Sequence, residues 1–136
     1  MSEARSGACE CGAVSYQVTG EPKAVVICHC RSCQRQSGSA FGMSMVFAAD
    51  GFQILSGELQ VFERQADSGA TLRCFFCPHC GVRIYHQKAD ISDTIILKPG
   101  TLDDARAVTP KRQLWLAQKQ GWIDLSGLPG FERQSA

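Results

Sequence analysis

The chain predicts a small, mainly β fold of antiparallel sheets pinned at its loop ends, and three observations carry that prediction. Short runs of alternating apolar and polar residues recur along it, separated by turns that bear glycine or proline. Helical periodicity is scarce. Eight cysteines gather in tight clusters, Cys9-Glu10-Cys11, Cys28-His29-Cys30-Arg31-Ser32-Cys33 and Cys77-Pro78-His79-Cys80, with Cys74 standing just ahead of the last.

Taken in order, residues 13–18 alternate and predict a strand, and residues 24–27 form a continuous β-branched run that fits a more deeply buried one. A short helix or turn is expected over residues 31–36, stopping at Ser37-Gly38. Phe41, Met43, Met45 and Phe47 then alternate, as side chains facing a core or a pocket wall do. Trp115 and Trp122 receive the same reading. Further strands are expected over 52–55, 59–62, 71–75 and 94–97, while 111–119 fits helix and strand equally. Gly20-Glu21-Pro22, Asp50-Gly51, Ser56-Gly57, Ser68-Gly69 and Lys98-Pro99-Gly100 punctuate these runs as turns.

A chain of 136 residues without linker, repeat or low-complexity tract is expected to form one domain across 1–136, with a modest core that benefits from staples. Fourteen Lys and Arg against 13 Asp and Glu leave a formal charge of +1, so no basic stripe invites nucleic acid. No run approaches the ~20 apolar residues that span a bilayer, and the N-terminus lacks the apolar segment of a secretory signal. A cytoplasmic location follows as the expectation. Thiols stay reduced there, which turns eight cysteines from a disulfide scaffold into metal ligands or catalysts.

Cys77-Pro78-His79-Cys80-Gly81 has the spacing of a zinc knuckle, with Gly81 where a left-handed residue is called for. One knuckle provides two ligands, and Cys9-Glu10-Cys11-Gly12 is the natural supplier of two more. Four thiolates would make a closed, structural zinc site whose binding energy becomes folding energy. The middle cluster differs: Cys28, Cys30 and Cys33 offer three thiolates and leave a fourth position, which is the ligand count of a catalytic zinc. Two alternatives stay open at this stage. Cys74 can serve as a fourth sulfur, closing the second site, or sit in the core as a small apolar side chain, and His29, His79 and His86 are further possible ligands.

These clusters, together with Gly100-Thr101-Leu102-Asp103-Asp104, Trp122 and Leu128-Pro129-Gly130-Phe131, resemble the glutathione-dependent formaldehyde-activating enzyme family over about residues 7–132. The resemblance implies an Mss4-like, mainly antiparallel β fold carrying two zinc ions. It implies a structural zinc on Cys9, Cys11, Cys77 and Cys80 and a catalytic one on Cys28, Cys30 and Cys33. It also implies a carbon-sulfur lyase acting on glutathione and formaldehyde, related through S-(hydroxymethyl)glutathione. The chain departs from the family near Pro110, where relatives often carry a histidine and this sequence reads Lys111-Arg112-Gln113-Leu114-Trp115, so a polar contact of the relatives is expected to be missing. Arg31 and Arg35, beside the metal loop, are candidates to pair with the two carboxylates of glutathione. The rival reading of the same chain is a zinc-stabilised binding or chaperone-like module.

Overall fold

The computed structural model describes residues 4–66 and 68–134. The protein is mainly β with, among the described residues, one α-helix. Its residues gather into two compact units that interleave in sequence: residues 1–23 with 45–108, and residues 24–44 with 109–136.

In the first unit β1 (Arg5–Ala8), β2 (Ser15–Val18) and β5 (Phe52–Ser56) form a three-stranded antiparallel sheet in the order β1-β2-β5. The end of β4 (Gly42–Ala48) pairs through Met45–Ala48 with β9 (Thr94–Leu97), and the sheet continues through β8 (Arg83–Lys88) and β7 (Thr71–Phe76) to β6 (Gln60–Gln65), all antiparallel. Period-2 alternation decides which faces are inside: Tyr16 and Val18 of β2, Leu72 and Cys74 of β7, and Ile84 and His86 of β8 are buried. Tyr16, Phe52, Tyr85 and Phe75 make a continuous run of rings, the last two stacked with centroids 4.4 Å apart. Edge strand β6 is largely exposed, with Val61 and Phe62 on the surface.

The second unit holds β3 (Ala24–Cys28), α1 (Arg31–Ser37) and β10 (Arg112–Leu114). Here the expectation of antiparallel sheets needs one correction, because β10 runs parallel to β3, setting Gln113 opposite Ile27 and Leu114 opposite Cys28. The long excursion of chain between them allows it, since parallel strands need a crossover rather than a hairpin. Val26, Leu114 and Trp115 form the core of this unit, with Cys28, Cys30 and Phe131 packed against it. The ambiguous stretch after Pro110 resolves into β10 followed by a 3-10 turn, Leu116–Gln118.

Strands β1 and β8 lie where no strand was expected, since Arg5–Ala8 joins an arginine to small residues and Arg83–Lys88 sets Ile84 and Tyr85 among charged and polar residues. Of the alternating set, Met45 and Phe47 are buried as expected. Trp115 is also buried, whereas Trp122 is 74% exposed and is therefore no core residue; its indole N–H donates to Oε1 of Gln120 at 2.8 Å.

Candidate metal centres

Two loops of the same design build the first cluster. In one, Cys9 N–H donates to the Val14 carbonyl at 3.0 Å and Gly12 N–H to the Cys9 carbonyl at 3.1 Å; in the other, Cys77 N–H donates to Val82 at 2.9 Å and Gly81 N–H to Cys77 at 2.8 Å. Gly12 and Gly81 both sit at φ 81°, the left-handed region in which a side chain is strained. Backbone N–H groups then aim at sulfur, Val14 at Cys9 and His79 at Cys77, each at 3.4 Å. Such bonds favour the charged form of a thiol. The N–H groups of Cys11 and Val82 pull Cys80 down to about 6. Cys11 goes the other way, to about 11, because the neighbouring sulfurs, Cys9 foremost, outweigh the N–H of Ala13 that donates to it.

The four sulfurs of Cys9, Cys11, Cys77 and Cys80 lie within 4.8 Å of one another. Cys9 and Cys11 are 3.6 Å apart and Cys11 and Cys77 3.8 Å. A tetrahedron with metal-sulfur bonds of about 2.3 Å has sulfur-sulfur edges of about 3.8 Å, so the spacing fits a metal ion in the middle.

The second cluster lies in the other unit. Strand β3 ends at Cys28, and Cys30 caps α1, its sulfur accepting from the Cys33 N–H at 3.4 Å. One helical turn brings Cys33 back towards Cys30, and Gly38 closes α1 in the left-handed conformation at φ 63°. The sulfurs of Cys28, Cys30 and Cys33 fall within 4.8 Å of one another, half-buried. Cys30 and Cys33 push the Cys28 thiol strongly upward. Three negative sulfurs in so small a space call for a cation among them, which is the chemistry of a metal-binding donor set.

Among the described residues three side chains make up this group, and neither Cys74 nor a histidine belongs to it. Cys74 is buried in β7 opposite His86, the core position that was one of its two readings. Burial, together with Lys98, Arg83 and Arg64, holds His86 down to about 2. His79 is exposed, and His29 is fully buried with its ring turned to Gln113. Arg31 and Arg35 sit exposed on α1 one turn apart, with Nη1 of Arg31 donating to Oε1 of Gln34. Gln34, Gln113 and Gln118, which embrace the three-thiol loop, were not foreseen as site residues; glutamine carries no metal signal in a sequence. In the stretch after Pro110, Oε1 of Gln113 lies 2.9 Å from Nε2 of His29.

Fold and site together define a small β protein with one four-thiol and one three-thiol group, each able to hold a metal ion. The family described as glutathione-dependent formaldehyde-activating enzyme matches residues 4–118, and the chain belongs to that family. A crystal structure of a Rhodobacter sphaeroides protein is similar in fold, at 21% sequence identity and a TM-score of 0.58, covering 93% of this chain and 99% of that one. No curated protein shows a significant match. Among the described residues no helix is long and apolar enough to cross a membrane.

Proposed function

We propose that the chain is a cytoplasmic zinc enzyme of the carbon-sulfur lyase class that interconverts glutathione plus formaldehyde with S-(hydroxymethyl)glutathione. Zinc is the metal proposed for both thiol groups, two ions per chain, because all-sulfur donor sets disfavour magnesium and calcium. The observation that carries the reading is the inequality of the two groups, four sulfurs in one and three in the other. A zinc with three protein ligands accepts a substrate atom at its fourth position and lowers the pKa of a thiol bound there.

The rest falls to the chain. The addition itself asks little of a catalyst: sulfur bonds to the aldehyde carbon, the carbonyl electron pair moves to oxygen, and that oxygen takes up the proton lost by the thiol. Positioning is the main demand. Arg31 and Arg35 flank Cys33 on α1, each two residues away, and their guanidinium groups suit the two glutathione carboxylates; the bond from Arg31 to Gln34 uses one of its five donors.

Zinc per chain, followed by titration of the cobalt-substituted protein with glutathione, tests the proposal. Two metals and a glutathione-dependent change in the cobalt spectrum, lost in Cys33→Ser, are expected. Two metals with no response to any thiol would leave a zinc-stabilised binding module instead.

A further inference from the structure

The three-thiol loop is gripped by side chains that metal binding does not itself use. His29, fully buried between Cys28 and Cys30, places Nε2 2.9 Å from Oε1 of Gln113. Gln113 is buried too, and its amide nitrogen donates to the carbonyls of Leu125 at 2.8 Å and Leu128 at 3.3 Å. An amide whose nitrogen is committed to two carbonyls presents its oxygen to the ring, so Nε2 of His29 carries the hydrogen. Nδ1 is then the bare nitrogen. It is buried without a hydrogen-bond partner, and a lone pair left there costs less than an N–H without an acceptor.

Gln34 holds the same residue from its backbone. Its buried amide donates to the His29 carbonyl at 2.7 Å and to the Gln118 carbonyl at 2.9 Å, while Oε1 of Gln118 accepts from the Arg31 N–H at 2.7 Å. The His29 N–H donates to the Leu114 carbonyl at 3.0 Å. Trp115, left-handed at φ 60°, starts the turn Leu116–Gln118 that delivers Gln118, an uncommon conformation for so bulky a residue. Ring, N–H and carbonyl of His29 are thus all fixed, and with them the backbone that separates Cys28 from Cys30.

We propose that Gln113 and Gln34 are positioning residues for the three-thiol centre, acting through His29 to hold Cys28, Cys30 and Cys33 ready for a metal ion. The inference rests on reading that group as a metal centre. Partners outside the ligand set commonly tune a metal site in this way, and their loss typically costs about 10–100-fold in affinity.

Gln113→Met and Gln34→Met, of similar size but unable to bridge, test it in the zinc-loaded protein challenged with a chromogenic chelator. Zinc of the three-thiol centre is expected to leave about 10–100-fold faster while the four-thiol ion keeps its wild-type rate. The cobalt bands of that one centre should shift as well. Equal acceleration of both ions, or of neither, overturns the proposal. Should neither variant fold, nitrogen-15 shifts of His29 in the wild-type protein decide it: an exchange-protected Nε2–H supports the clamp and an Nδ1–H tautomer refutes it. A wild-type protein with zinc at the four-thiol group alone sinks the metal reading and this inference together, whereas a two-zinc protein with unchanged variants sinks this inference only.

Discussion

Gly81→Ala isolates the backbone contribution to the four-thiol centre. Gly81 lies at φ 81°, and a Cβ built there has no atom within 4 Å, so steric clash contributes nothing and left-handed strain is the whole effect. That strain is about 1–2 kcal/mol for a residue with a side chain. With an unfolding entropy of about 2.1 cal/mol/K per residue, a chain of 136 residues loses about 3–7 °C in Tm for it. If the loop relaxes when metal is absent, the same energy appears as about a 5–30-fold weaker hold on zinc. Gly12, also at φ 81° with an empty surround, should respond equally. Gly100→Ala is the control, since that glycine is outside the left-handed region and likewise has nothing within 4 Å; it should be neutral or slightly stabilising. Differential scanning calorimetry of the three zinc-loaded variants reads the result. If Gly81→Ala melts with the wild type and with Gly100→Ala, the argument that the knuckle requires a left-handed residue is wrong.

Tyr16 provides a pH signature, because burial pushes its phenol from 10.0 up to about 12. The folded state then keeps the proton longer than the unfolded one, so this stabilisation is complete below pH ~10 and falls by about 2–3 kcal/mol by pH ~12. Denaturant titrations across that window should show the slope in the wild type and lose it in Tyr16→Phe. At the other centre, a Cβ on Gly42 would lie 3.1 Å from Cβ and 3.5 Å from Sγ of Cys33. Gly42→Ala should therefore displace one sulfur and weaken metal binding at the three-thiol group by about 1–2 kcal/mol, a factor of about 5–30, with the four-thiol group unchanged. Competition with a chelator of known affinity measures both at once, and equal weakening of the two would contradict the local cause.

Much of the architecture was legible because apolar periodicity reports directly on which face is buried. Alternation over 13–18, 52–55 and 71–75 and the β-branched runs at 24–27 and 94–97 all coincide with observed strands. Helix α1 was legible from its stop signal, Gly38. What escaped were strands that pattern alone does not mark. In β1, Gly7 is required because a Cβ there would lie 2.3 Å from the Tyr16 hydroxyl, a demand that no local pattern reveals. In β8 the buried inner face carries His86, a polar residue that breaks the apolar alternation.

The cysteine spacings by themselves pointed to two metal-competent groups and to the close pairs that supply them, while leaving Cys74 and the three histidines open as further ligands, since ligands two or three residues apart can reach one ion only from a tight turn. Pairing residues 9 and 11 with 77 and 80 was the economical solution to ligand count, and in the fold their four sulfurs lie within 4.8 Å of one another. The tertiary structure decided the rest. It placed Cys74 in the core of β7, resolved the stretch after Pro110 into a parallel strand and a turn, and brought Gln113 and Gln118 onto a loop some 84 residues earlier in the chain. Hydrogen bonds of that kind depend on where distant backbone carbonyls come to rest, and side-chain identity along the chain holds no record of that until it has folded.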